Sequence, residues 1–134
     1  MILIVCVDDH NGMMFNHRRQ SQDRVLRADI LELTGGKKLW MNAYSKKQFA
    51  ESDTARIRVN ETFLDAAGDG EFCFVENADV SGCVERIEEI YLYRWNRDYP
   101  ADVYFPVDLS VWKCVETKEF AGSSHEKITR ERYT

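Results

Sequence analysis

The sequence predicts an α/β fold with a mostly parallel β-sheet, flanked by helices and closed by a C-terminal antiparallel hairpin. Three observations support this prediction. A continuous apolar run occupies residues 2–7, strand-like and helix-like apolar spacings alternate after it, and two β-rich segments with a turn-rich link lie near the end. Alternating strands and helices favour parallel pairing through right-handed crossovers.

The first third of the chain predicts a strand, a loop and a helix. The run at residues 2–7 has no polar alternation, which is typical of a strand buried on both faces at the centre of a sheet. Residues 8–19 begin with turn formers and have no apolar period, so we expect a long polar loop. Helical spacing follows over residues 25–33, with Ser21 as the expected N-cap and Gly35–Gly36 at the end.

Shorter elements continue the alternation through the middle of the chain. Strands are predicted over residues 39–41, 57–59, 72–75 and 90–95. Helical segments are predicted from Ser45, as a capping residue, to Phe49, and over residues 60–67 and 80–87. The closing strands are predicted over residues 111–115 and 125–133, with the turn at residues 120–124.

Length and charge limit the possible functions. The 134 residues, 44% of them apolar, predict a single domain spanning residues 1–134. The net charge of −5 argues against a nucleic-acid-binding protein, because phosphate binding requires a basic face. The first apolar run is too short for a signal peptide or a membrane span, so we expect a cytoplasmic protein. No C-x-x-C pair or histidine motif predicts a metal site.

The order of these elements resembles dihydrofolate reductase. Val5-Cys6-Val7-Asp8, followed by Gly12-Met13, is similar to that family's first strand and the start of its active-site loop. Ile90-Tyr91-Leu92-Tyr93, then Ala101-Asp102-Val103-Tyr104-Phe105-Pro106, then Trp112, resemble its later strand, acidic loop and closing hairpin. The resemblance implies that Asp23 stands where the family keeps the carboxylate that holds the pterin and assists its protonation. Alternatively, Asp23 is a first-turn carboxylate that interacts with the helix dipole.

The cofactor-binding segments differ from the family's pattern. Where the family has G-R-x-T/S, this chain has Asn42-Ala43-Tyr44-Ser45, in which only Ser45 could contact a phosphate. Where the family has paired glycines, this chain has Glu76-Asn77, so side chains obstruct the approach to a nicotinamide. We therefore expect no hydride transfer from NADPH; NADPH is a cofactor only if the chain is a working reductase.

The densest basic stretch lies in the predicted loop and first helix. Within it, Arg18, Arg24 and Arg27 would line the cleft that holds folate in the resembled family. The alternative is a solvated helix face paired with nearby carboxylates. The leading hypothesis is a non-reductase protein that binds a small anionic ligand, or a protein partner, in this cleft. The other hypotheses are an NADPH-dependent reductase with a diverged substrate, and a hydrolase or nuclease that uses His10 and His17.

Overall fold

A computed structural model describes residues 1–49 and 55–134. The strands are β1 (Ile2–Val7), β2 (Gly12–Phe15), β3 (Arg18–Arg19), β4 (Leu39–Met41), β5 (Ile57–Val59), β6 (Phe72–Phe74), β7 (Glu89–Arg94), β8 (Val103–Tyr104), β9 (Cys114–Phe120) and β10 (Ile128–Tyr133). The helices are α1 (Arg24–Leu33), α2 (Ala43–Lys46) and α3 (Phe63–Ala66), with 3-10 turns at Lys47–Phe49, Val84–Arg86 and Leu109–Val111.

β1 lies at the centre of a seven-stranded sheet, in the order β5-β4-β6-β1-β7-β10-β9. It pairs in parallel with β6 and β7, and β4 pairs in parallel with β5 and β6. β10 runs antiparallel to both β7 and β9. The predicted fold class, a mostly parallel sheet closed by a C-terminal antiparallel hairpin, is therefore confirmed.

Two hydrophobic cores on opposite faces of the sheet explain the unbroken apolar sequence of β1. Leu3 and Val5 belong to one core, whereas Ile2 and Ile4 belong to the other. Successive side chains of a strand point to opposite faces, so a fully apolar strand contributes to both cores. α1 packs on the second core and α3 on the first, which places helices on both faces.

The two N-cap predictions were wrong. The cap of α1 is Asp23, whose carboxylate accepts the amide hydrogens of Val25 and Leu26 at 2.9 and 3.2 Å. The predicted cap, Ser21, instead places its hydroxyl 3.2 Å from His125. The cap of α2 is Asn42, whose side chain accepts the amide hydrogen of Ser45 at 3.0 Å, so Ser45 lies inside the helix. In both cases an Asx side chain directly before the helix accepts amide hydrogens of the first turn.

The prediction of a loop over residues 8–19 was also wrong, because this segment contains a hairpin. β2 and β3 pair through Met14 with Arg19 and Phe15 with Arg18, and β8 adds a third strand. The two residues at the turn, Asn16 and His17, have φ values of 50° and 62°. Two positive φ angles are typical of a type I′ turn, whose twist suits a tight hairpin.

The C-terminal hairpin is shifted from its predicted bounds. β9 begins at Cys114, because residues 109–111 form a 3-10 turn, and it extends to Phe120. β10 begins at Ile128, so the preceding His125 lies in the link rather than in the strand. Among the described residues, no helix is long and apolar enough to cross a membrane.

Replacing Leu3 with alanine should lower the free energy of unfolding by about 3 kcal/mol, since the change leaves a cavity in the core. Leu3 has 0% exposure, whereas Val111 is 79% exposed and provides a matched control. Val111→Ala should change the stability by less than about 0.5 kcal/mol. Urea denaturation followed by circular dichroism measures both. Similar losses in the two variants would contradict the central position of β1.

Candidate functional site

Polar residues follow the parallel strands at the carboxyl edge of the sheet. Asp8 follows β1, Asn42 follows β4, and Glu76 lies just beyond β6. In open α/β sheets, ligands bind outside this edge, because the loops that leave the strands bring polar groups together there. This edge is therefore the expected location of a ligand site.

An ion pair occupies the part of the edge beyond β6. The Nε and Nη2 atoms of Arg19 donate to the two carboxylate oxygens of Glu76, at 2.9 and 3.1 Å. The Arg19 guanidinium also lies over the ring of Tyr44, 4.4 Å from its centroid. Burial disfavours both charges, but a two-pronged arginine–carboxylate contact offsets much of that cost.

Residues 42–45 and 76–77, which replace the cofactor-binding signatures of the resembled family, are hydrogen-bonded to each other. The Ser45 hydroxyl donates to Glu76 at 2.8 Å, and the Asn42 amide donates to Asn77 at 2.7 Å. Ser45, predicted to bind a ligand, is 1% exposed. These contacts place protein atoms together at the positions where the resemblance implied a phosphate and a nicotinamide.

Asp23 is held in a dense hydrogen-bond network rather than in an apolar pocket. Besides capping α1, its carboxylate accepts the amide hydrogens of Ser123 and Ser124 at 3.0 and 2.8 Å. Burial alone would raise its pKa, but these backbone bonds and the nearby His125 hold the pKa of Asp23 well below its ordinary value. A relay that exchanges a proton near neutral pH requires the opposite shift, so the network favours the structural interpretation of Asp23.

Gly122 is needed beside this network because a side chain would not fit there. A Cβ atom at that position would lie 2.5 Å from Oδ2 of Asp23 and 2.9 Å from Cδ1 of Ile128. The link between β9 and β10 can thus approach the start of α1 closely enough for its amides to reach the carboxylate.

His125 connects Asp23 to the surface. Its Nδ1 lies 3.0 Å from Oδ2 of Asp23, while its Nε2 lies 2.9 Å from the Tyr99 hydroxyl and 3.2 Å from the Ser21 hydroxyl. Trp95 stacks on the imidazole with ring centroids 4.6 Å apart. We refer to Ser21, Asp23, Tyr99 and His125 as the His125 cluster. No sequence motif indicated it, because its members come from distant segments.

A cavity of about 280 Å³ opens beside this cluster, between the β2–β3 hairpin and Tyr99–Pro100. Its lining residues are Phe15, Asn16, Arg18, Arg19, Gln20, Tyr99 and Pro100. Arg18 thus lies where a ligand could reach it, whereas Arg24 and Arg27 are not among the lining residues. We refer to this space as the Arg18 cavity.

Two other cavities have different charges. One, of about 350 Å³, has the carboxylates of Glu61, Asp65 and Asp79 in its lining. The other, of about 300 Å³, is lined by Gly36, Lys37, Lys38, Ala55, Arg56 and Arg58 and lies at the amino ends of β4 and β5. The Arg18 cavity lies at the carboxyl edge of the sheet, and its charged lining residues are both basic.

The two loop histidines, His10 and His17, have different surroundings. His10 places its Nδ1 3.1 Å from Asp98, with both side chains exposed. His17 is exposed in the β2–β3 turn. Within residues 1–49 and 55–134, no group of three histidine, cysteine or acidic residues could hold a metal ion.

Comparisons with known proteins identify the fold. No protein-family model and no curated protein matches the sequence. Among solved structures, dihydrofolate reductase from Enterococcus faecalis, complexed with NADP(H) and RAB-propyl, matches with a TM-score of 0.69 at 12% sequence identity. The match covers 98% of this chain and 94% of that one. The chain therefore has a dihydrofolate reductase-like fold, as the resemblance implied, and at this identity the match concerns the fold alone.

Asp23→Asn should lower the free energy of unfolding by about 2 kcal/mol at neutral pH, because the bonds to an ionised acceptor are weakened. A lowered folded-state pKa stabilises the native state above the unfolded pKa, near 4, and that contribution is lost as the pH falls below it. The difference between the variant and the wild type should therefore shrink in acid. Denaturant titrations at a series of pH values measure this.

Asp108→Asn is the matched control, because Asp108 caps an exposed 3-10 turn that asparagine can also cap. Its denaturation midpoint should stay at the wild-type value. An Asp23→Asn deficit that is equally large at every pH would mean that the carboxylate charge is not what stabilises the network.

Proposed function

We propose that this chain uses a dihydrofolate reductase-like fold to bind a small anionic ligand in the Arg18 cavity, without reductase activity. The observation that carries the proposal is the charge of the lining. Arg18 and Arg19 are its charged side chains, and no carboxylate is among the lining residues. In a protein of net charge −5, such a cavity gives a local positive potential that selects anions.

The two arginines have different roles in this proposal. Arg19 is engaged by Glu76 and Tyr44, so its charge is largely balanced and its orientation is held. Arg18 is exposed and forms no ion pair within the described part of the chain, so its guanidinium can bind a phosphate or carboxylate in two-pronged fashion. Arg19 shapes the cavity and Arg18 supplies the binding charge.

The contacts beyond β6 support the absence of reductase activity. A nicotinamide cofactor would have to separate Asn42 from Asn77, and Ser45 from Glu76, before it could approach the sheet. Separating the Glu76 carboxylate from its partners would also leave a negative charge beside an anionic cofactor. Both effects oppose NADPH binding at this edge.

Arg18→Ala should weaken binding of the anion about tenfold or more, because it removes a charge-assisted hydrogen bond. Thermal-shift assays with inorganic phosphate, pyrophosphate, citrate and phosphorylated metabolites identify the anion, since a ligand that binds only the native state raises the midpoint. Calorimetry then compares the variants. Arg58→Ala, in the basic cavity at the amino edge, is the matched control and should leave binding unchanged.

The Arg24→Ala, Arg27→Ala double variant tests the wider basic surface. Since neither residue lines the Arg18 cavity, it should retain most of the binding. If the double variant loses binding and Arg18→Ala retains it, the ligand lies on the face of α1 and the cavity is not the site.

NADPH should give no saturable binding. The expected result is a linear, unsaturated change in tryptophan fluorescence over concentrations that saturate a dihydrofolate reductase titrated in parallel. Saturation in the micromolar range would contradict the proposal. It would favour the alternative of a reductase with a diverged substrate, in which Asp23 acts as the proton relay.

A further inference from the structure

We propose that Ser21, His125 and Asp23 form a nucleophile, general base and orienting carboxylate that make Ser21 reactive toward activated esters. This activity is separate from anion binding and does not depend on the Arg18 cavity being occupied. The three side chains come from the residues before α1, the cap of α1 and the link between β9 and β10. His125 is far from Ser21 and Asp23 in sequence, and folding brings it within hydrogen-bond distance of both.

The distances match those of an activated hydroxyl. Ser21 Oγ lies 3.2 Å from Nε2 of His125, and Nδ1 of the same ring lies 3.0 Å from Oδ2 of Asp23. A nucleophile within hydrogen-bond reach of a base, which is itself oriented by a third group, is the arrangement by which serine hydroxyls are activated on unrelated folds.

The base and its orienting residue are held in place. His125 is 4% exposed and stacked on Trp95, so its ring cannot rotate freely. Asp23 is fixed by the amides of Val25, Leu26, Ser123 and Ser124. A catalytic array that is already ordered does not lose conformational entropy during the reaction. Asp23 is therefore a positioning residue, whereas Ser21 and His125 touch the reacting atoms.

Asp23 also determines the tautomer of His125. Its carboxylate can only accept, so the neutral imidazole places its hydrogen on Nδ1 and leaves the lone pair of Nε2 facing the hydroxyl groups. Tyr99 lies 2.9 Å from the same Nε2 and competes with Ser21 for that lone pair. Removal of the Tyr99 hydroxyl should therefore increase the reactivity of Ser21.

The proposed step balances without a cofactor. Ser21 Oγ forms a bond to the carbonyl carbon of an ester while its proton moves to Nε2 of His125. The ester C–O bond then breaks, and the leaving alcohol takes that proton. Water repeats the sequence on the acyl-serine, which releases the acid and restores the hydroxyl.

Ser21 is half-buried and has backbone donors beside it. The residue before it, Gln20, lines the Arg18 cavity. Within the described ranges, the backbone N–H groups of Ser21 and Gln22 make no hydrogen bond to the protein. They are the nearest backbone donors along the chain for the oxyanion that forms during acyl transfer.

A fluorophosphonate probe tests the proposal, because an activated serine displaces its fluoride and forms a P–O bond. The purified full chain should gain one adduct, which peptide mapping places on Ser21. Ser21→Ala should abolish this adduct. Ser110→Ala is the matched control, because the Ser110 hydroxyl bonds to a carboxylate, at 2.7 Å, and no histidine lies at that site. Ser110→Ala should leave the rate of labelling at Ser21 unchanged.

Three further variants test the roles of the other groups. His125→Gln should slow labelling roughly a hundredfold or more, as expected for loss of a general base. Tyr99→Phe should increase the rate. Asp23→Asn should slow labelling and change its pH dependence, whereas a purely structural role would leave the pH profile of the folded protein as in the wild type.

Several outcomes would overturn the proposal: a wild-type protein without an adduct on Ser21, an adduct on another serine only, or unchanged labelling in His125→Gln. Thermal melts of every variant identify losses that come from unfolding. If Ser21→Ala does not fold, the position of the adduct in the wild-type protein decides the question.

Discussion

The burial of β1 on both faces is the constraint on which the rest of the molecule depends. A strand covered on both faces needs parallel neighbours, and parallel neighbours need crossover connections that carry helices or long loops over the sheet. Those connections leave the carboxyl ends of β1, β4, β6 and β7 along one edge. The polar residues that follow the strands, from Asp8 to Tyr99, are therefore close in space although they are far apart in sequence.

Buried charge distinguishes two parts of this edge. A buried ion that loses its partner is costly, so Arg19 and Glu76 stabilise each other only while they remain paired. Glu76 is hydrogen-bonded to Arg19 and Ser45, and Asn77 is hydrogen-bonded to Asn42. The polar side chains beyond β6 therefore already have partners within the protein. The Arg18 cavity lies beside the β2–β3 hairpin at the same edge, and there Arg18 has no such partner among the described residues. The cost of an unpaired charge thus accounts for the pairing of Arg19 with Glu76, and the unpaired charge of Arg18 is what the proposed anion site uses.

The His125 cluster serves the fold and, in the proposed ester chemistry, the reactivity of Ser21. Asp23 joins α1 to the β9–β10 link, and the close approach of that link depends on Gly122. The carboxylate that serves this structural purpose also orients His125 toward the hydroxyls of Tyr99 and Ser21. A buried polar network in which every group has a partner is rigid. Rigidity is also what a nucleophile and its base require.

The sequence by itself determined the alternation of strands and helices that builds the main sheet, the central position of β1 and the altered cofactor segments, but not the small sheet of β2, β3 and β8. The spacing of apolar residues and the residue types at 42–45 and 76–77 are local properties, so a single sequence reveals them. Only the tertiary structure decided which groups meet. Arg19 and Glu76 are 57 residues apart, and Asp23 and His125 are 102 apart. Distant partners also explain why Asp23 rather than Ser21 caps α1. The Ser21 hydroxyl lies beside His125, and the β9–β10 link donates two amide hydrogens to Asp23. Local spacing carries no information about such contacts, since they form only when the sheet brings remote loops to one edge.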